Sequence, residues 1–219
     1  MNNKLIYISL IIFLCFSCSK KEPVVEELAT EEKSYAIYKE ALDSMDKGDL
    51  FYASKKFQEA EAVLSKIEYS AKALLMSSFC LYTINFYDES LSALEKYIAK
   101  YPADKNIPYA HFLIANIYYE QILDEKKDLK PLLRTKEKIN FYLKTFPNSD
   151  YALDLEFKLD LVNNQLAAKE LYVAKYYITT QKWIAAINRL KLIIKDYDQT
   201  VFVEEALHRL VEIYYKIGL

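Results

Sequence analysis

The chain has 219 residues and a formal net charge of −2, with 29 basic residues set against 31 acidic ones. The two signs are interspersed, so no basic block marks a nucleic-acid surface and no nucleic-acid partner is expected. Only two glycines occur beside 20 tyrosines. Backbone cradles for phosphate depend on glycine, whereas long stretches rich in Leu, Ala, Lys and Glu read as an all-helical protein.

The N-terminal run from Leu5 to Phe16 is apolar and about 12 residues long. A bilayer core takes roughly 20 residues of helix, so this run is too short to span comfortably. Lys4 lies ahead of it and a small residue, Ser17, stands before Cys18, the layout of a secretory signal. The stretch resembles bacterial lipoprotein signals, in which a small residue precedes a cysteine that becomes lipid-modified. That resemblance implies a signal peptide over 1–17 and lipid attachment at Cys18. With Ser19 next instead of Asp, it also implies the outer membrane. Such signals usually carry Leu three positions before the cysteine, where this chain has Cys15; an ordinary signal with an incidental cysteine is the alternative. If Cys15 leaves and Cys18 is acylated, Cys80 is alone and no internal disulfide forms. Within "SSFCLYTINF", Cys80 reads as a small buried hydrophobe.

Residues 18–33 are polar and acidic and read as a flexible tether. From Ser34 onward apolar residues recur at helical spacing, and the pattern repeats. Ala53, Phe57 and Ala60 share a frame with Ser90, Leu94 and Tyr97, with Thr135, Ile139 and Tyr142, and with Ala186, Leu190 and Ile193. Pro102 and Pro147 close the second and third of these, and Asp198 takes that place in the fourth. Each frame predicts the second helix of a helical hairpin: a small residue lets the paired helix approach and a large one fills the groove. The anchors step by 37, 45 and 51 residues, against about 34 in a regular tetratricopeptide array. The pattern therefore resembles an irregular tetratricopeptide solenoid of about five hairpins, the last incomplete.

First helices are predicted in "YAIYKEALDSM", "AKALLMSSFCLYTI", "YAHFLIANIYYEQI", "AKELYVAKYYITT" and "EEALHRLVEIYYKI". Three of them end in a tyrosine pair, with one tyrosine expected buried and its neighbour rotated away by about 100°. A charged loop is expected at 124–130, and one long connecting helix near 149–180, capped by Asn148 or Ser149. Gly218 fits a helix C-cap; a last first helix without its partner leaves an apolar face for further chain or a partner to cover.

The segments "NIPYAHFLIANIYY", "FPNSDYALDLEFKL" and "LAAKELYVAKYYITTQKWIAAINRLKLIIKDYDQT", in that order, resemble the BamD-type (ComL/YfiO) outer-membrane protein assembly lipoproteins. The resemblance covers roughly residues 34–219 and the lipidated cysteine. It departs at Ala115-Asn116, where Arg-Gly is common, and at Asp198, where Pro is usual. It implies a non-enzymatic scaffold on the periplasmic face of the outer membrane, held by its lipid anchor. Its partners would be the POTRA domains of BamA, other Bam lipoproteins and unfolded β-barrel proteins awaiting insertion. It places substrate on N-terminal repeats (34–123) and BamA on C-terminal repeats (124–219).

Two sets of residues follow as site candidates. Tyr38, Phe79, Tyr82 and Tyr118 are candidates for a substrate groove, with ordinary repeat packing as the competing reading. Arg189, beside Trp183, Asn188 and Lys191, is the candidate anchor for BamA, with an exposed helix charge as its alternative. Catalytic chemistry finds little support. His111 and His208 are isolated, no metal-ligand spacing occurs, and a Cys80–His111 pair has nothing visible to activate it. No metal or cofactor is expected. Two other functions stay open: an adaptor lipoprotein of the envelope, such as a regulator of peptidoglycan synthesis, and a secreted hydrolase.

Overall fold

A computed structural model describes residues 24–122 and 129–218, with side chains from residue 31. The signal, Cys18 and the first part of the expected tether lie outside the described residues, as does most of the charged loop at 124–130. Nine helices and no strand occur among the described residues: α1 (Val24–Asp46), α2 (Leu50–Val63), α3 (Ile67–Thr83), α4 (Tyr87–Lys100), α5 (Ile107–Glu120), α6 (Lys130–Thr145), α7 (Ala152–Thr179), α8 (Trp183–Asp196) and α9 (Val203–Ile217). They form four hairpins, α1/α2 to α7/α8, with α9 as the first helix of a fifth. This is the all-helical repeat solenoid expected from the sequence.

Packing runs between consecutive helices throughout, and α3 also touches α5, as α5 touches α7. The first helices therefore make an inner layer. Between the second helices, clefts open instead. Three of the hairpins turn within three residues, and the middle residue is left-handed in each: Gly48, Asn85 and Gln181 at φ 82°, 62° and 57°. Glycine adopts that conformation freely, whereas Gln181 holds it against a side-chain clash.

Every anchor of the sequence pattern is fully buried: Ala53, Phe57 and Ala60, and their counterparts at 90, 94, 97, 135, 139, 142, 186, 190 and 193. The small anchor does more than give room. Where it carries a hydroxyl, it bonds to the backbone of the paired helix, Ser90 Oγ to the Ser78 carbonyl at 2.8 Å and Thr135 Oγ1 to the Tyr118 carbonyl at 2.9 Å. The large anchors Tyr97 and Tyr142 reach seven residues ahead. Their hydroxyls meet Asp104 at 2.7 Å and Ser149 at 2.5 Å, in the turns that begin the next repeat. The most deeply buried tyrosines thus sit on second helices, not in the tyrosine pairs. Of those pairs, Tyr176 and Tyr215 are exposed beside half-buried Tyr177 and Tyr214, while Tyr118 and Tyr119 are both half-buried.

Two sequence expectations need correction. The segment expected as tether over 18–33 is helical from Val24. "EELATEEK" is rich in strong helix formers, and Glu31 pairs with Lys66 at 3.3 Å while Ser34 Oγ bonds the Val63 carbonyl. The long helix is not capped by Asn148 or Ser149; it begins at Ala152 after Tyr151, with no side-chain cap. Ser149 serves the turn instead, meeting Tyr142 and accepting from the Tyr151 amide at 3.2 Å.

Helix α7 changes the face it buries. Leu155, Val162 and Leu166 pack toward α5 and α6, whereas Ala167, Leu171 and Ala174 pack toward α8 and α9. At about 100° per residue these two sets are rotated by roughly 125°. That is how one 28-residue helix joins two blocks of repeats.

Candidate functional site

On the inner layer, α3, α5 and the turn that leads into α7 present half-buried aromatic side chains. Phe112 stacks on Tyr151 at 4.6 Å, Tyr109 lies 5.4 Å from Tyr151, and Tyr82 lies 6.3 Å from Tyr87. Burial first, then the Glu120 carboxylate, raises the Tyr82 pKa, so its hydroxyl stays protonated. Lys158 of α7 crosses to this surface. Its Nζ donates to Asn116 Oδ1 at 2.6 Å and to Asp154 at 2.8 Å, and lies 5.8 Å from the Phe112 ring and 5.6 Å from that of Tyr119. The sequence reading missed Lys158: an i,i+4 pair with Asp154 looks like any solvated helix charge. Asn116, buried at 4 % exposure, is what makes the position distinct.

The four expected groove residues do not gather in one place. Tyr38 belongs to the N-terminal core: it is 8 % exposed, edge-on to Phe57 at 5.6 Å, and its hydroxyl is unpaired among the described residues. Phe79 and Tyr82 are half-buried against the central core. Tyr118 packs there too, but its ring lines the clefts between α4 and α6, with Lys138 Nζ 5.5 Å above it.

The C-terminal candidates also divide. Trp183 packs into the core beneath α8. Arg189 turns toward α7, donating to Glu170 at 3.0 Å, with 44 % of its side chain exposed against 13 % for Glu170. Asn188 and Lys191 face solvent on another side. They share that side with Ile184, 77 % exposed, which the sequence reading did not single out.

The larger unanticipated feature is the apolar surface of α7. Along α7, Leu153, Phe157, Leu161, Tyr172 and Tyr176 are all exposed, Tyr172 at 72 %, as a ribbon that winds with the shift in the buried face. On α9, Leu207, Val211 and Tyr215 recur every four residues, Tyr215 at 86 %. Lys175 pairs with Glu205 at 2.8 Å and ties the two helices together. Glu205 in turn accepts from Arg209, and Arg209 from its other side reaches Glu212 at 2.9 Å. Exposed apolar residues that recur along a helix face in this way mark interaction sites more often than scattered ones do.

Cys80 is fully buried in the N-terminal core, and burial pushes its thiol up to about 11. It therefore stays a thiol at neutral pH. His111 belongs to a different place, the cleft between α4 and α6, with Phe141 at 5.2 Å and Phe146 at 5.5 Å. Among the described residues no group of His, Cys, Asp or Glu is placed to hold a metal ion, and no helix is long and apolar enough to cross a membrane.

A family model described as YfiO, outer membrane lipoprotein, matches residues 30–219. An outer membrane protein assembly factor BamD of Caulobacter vibrioides is 33 % identical over 205 residues, covering 94 % of this chain and 66 % of that protein. The chain thus spans just under two thirds of that relative. The protein of the same name from Rickettsia prowazekii is 33 % identical over 222 residues, covering 98 % of this chain and 83 % of its own. That of Neisseria meningitidis serogroup A is 25 % identical over 228 residues, with 98 % and 85 % covered. With the repeat architecture and the matched span together, the chain belongs to the YfiO family of outer membrane lipoproteins, as a BamD-type member.

Proposed function

We propose that this protein is a lipid-anchored, non-enzymatic scaffold for the assembly of β-barrel proteins at the outer membrane, facing the periplasm. It binds the POTRA domains of BamA through its C-terminal repeats, works alongside other Bam lipoproteins, and receives unfolded barrel proteins on its N-terminal repeats. The observation that carries this reading is the exposed apolar ribbon of α7, formed by Leu153, Phe157, Leu161, Tyr172 and Tyr176. A protein that works alone in water gains nothing by leaving such a surface open. The names of its relatives, assembly factors all, point the same way.

Recovery of BamA tests the C-terminal half. Tyr172→Glu is expected to lower BamA recovery by at least about tenfold, the weight of an interface hot spot. Tyr172 is 72 % exposed, so folding should be spared. Arg189 needs a paired design, because Arg189→Glu also sets two carboxylates against each other at Glu170. The exchange Glu170→Arg with Arg189→Glu restores the ion pair. Stability should recover in the exchange while BamA recovery stays low. Full recovery of binding would make Arg189 a helix tie and nothing more, and pull-down of a cell-wall synthase in place of BamA would sink the reading.

Lipid attachment at Cys18 is tested by fractionation. Cys18→Ser is expected to move the protein from the outer membrane to the soluble periplasmic fraction in cells lacking BamA. Acyl chains contribute about 0.8 kcal/mol per buried CH₂, and stable anchoring takes more than one chain. Unchanged membrane recovery in those cells would rule the anchor out.

A further inference from the structure

The first repeat carries a small apolar surface at the end of the solenoid where α1 begins. Around the turn from α2 to α3, Val63 and Ile67 are 44 % and 72 % exposed, and Tyr69 follows at 38 %. Tyr35 of α1 borders them, its ring edge-on to that of Tyr69 at 5.1 Å. Lys66, in the same turn, places its Nζ 5.8 Å from the Tyr35 ring and pairs with Glu31 at 3.3 Å. Exposed aliphatic side chains beside tyrosine rings and a long cation make up the kind of surface that sits at a lipid–water boundary.

The chain itself limits what can lie opposite. Ser34 Oγ bonds the Val63 carbonyl, so α2 ends level with Ser34. Val24 lies ten residues further along α1, or about 15 Å at 1.5 Å per residue. Cys18 precedes Val24 by six residues, which reach at most about 22 Å. A lipid on Cys18 therefore holds the start of α1 within about 22 Å of the bilayer and makes the first repeat the part nearest to it. With α1 lying along the bilayer, Val63 and Ile67 come down to the lipid. With α1 upright, the turn would stand about 15 Å or more clear and leave both side chains in water. The charges nearby balance, Glu31, Glu32 and Glu68 against Lys33, Lys66 and Lys72. That balance selects neither an acidic nor a basic partner and suits zwitterionic headgroups.

We propose that this turn is a second membrane contact, in which Val63 and Ile67 enter the headgroup–acyl boundary of the bilayer that holds the lipid anchor. Tyr35, Tyr69 and Lys66 form its polar edge, and α1 lies along the surface. The inference rests on the reading of Cys18 as the site of lipid attachment. It goes beyond that reading because an anchor alone lets the solenoid swing, whereas a second contact sets which way the repeats face.

Fluorescence on the lipidated full chain, reconstituted in phosphatidylcholine vesicles, tests it. An environment-sensitive dye is attached at Ile67→Cys or, as the control, at Val201→Cys, 78 % exposed in the turn before α9. Cys80 does not compete for the dye, being fully buried with its thiol pKa raised. Lipids spin-labelled near the headgroup should quench the dye at 67 and spare the one at 201. Added salt should leave the quenching in place, because the contact is apolar. Ile67→Asp should bring the quenching of a dye at Val63→Cys down to the control level while the protein still floats with the vesicles. No more quenching at 67 than at 201 overturns the contact and leaves the anchor standing. A blue-shifted dye at 67 that lipid does not quench means that protein covers the turn, and overturns it too. If the wild-type protein does not float with the vesicles, the anchor reading itself fails and the contact falls with it.

Discussion

Tyr142→Ala should cost about 3–5 kcal/mol and divide thermal unfolding, seen by calorimetry, into two transitions. The magnitude is that of a large buried aromatic cut to a methyl group, with a cavity left behind. Tyr142 is completely buried among Ala115, Ile139 and Leu155, so it joins α5, α6 and α7 at once. On either side lie separate cores, one around Leu94 and Tyr97 and one around Leu190 and Ile193. In repeat proteins stability is close to a sum of repeat and neighbour-interface contributions. Weakening this interface should therefore let the C-terminal block melt apart from the N-terminal one. Tyr142→Phe keeps the ring and loses only the hydroxyl contact to Ser149, so about 1 kcal/mol and a single transition are expected. A single transition with little loss in Tyr142→Ala would show that the blocks are coupled through α7 alone.

The same residue shows what was legible in the sequence. Small and large side chains at fixed offsets must meet the facing helix, so the anchors from Ala53 to Ile193 declared their burial, and with it the hairpins. Faces left open by packing are harder to read. Leu153, Phe157 and Tyr172 have the same helical periodicity as core residues; only the rotation of the buried face along α7 shows that they stay outside. Tyr38 failed the other way. An aromatic on a first helix can point to groove or core, and Phe57 and Tyr69 enclose it in the core. Long-range polar partners were invisible for a different reason: Glu170, nineteen positions from Arg189, and Asn116, forty-two from Lys158, meet only after folding.

Glu61→Gln should lower stability by about 2 kcal/mol at neutral pH, and by steadily less in acid. Glu61 lies on α2, 5 % exposed, and its carboxylate takes bonds from Lys96 and Lys100 of α4 and from the Tyr101 hydroxyl at 2.9 Å. Burial alone would raise its pKa, but the bonds from Lys100, Lys96 and Tyr101 outweigh burial and hold it below the ordinary value of 4.5. Hydrogen bonds to a charged group are worth about 1.5–3 kcal/mol. The two lysine side chains are 54 % and 51 % exposed, so water takes them back in the variant. That keeps the loss below the about 3–5 kcal/mol of a fully buried pair broken on one side. A carboxylate whose folded pKa is depressed gives stability above its unfolded pKa and loses it as pH falls through the folded one. The gap between wild type and variant should thus be full at pH 7, begin to close below about 4.5, and vanish once Glu61 is protonated in the fold. A gap that stayed constant into acid would mean that Glu61 acts by shape rather than by charge. Because these bonds join the second helices of the first two repeats, their loss should appear first in faster amide exchange along α2 and α4, while α8 and α9 keep their protection.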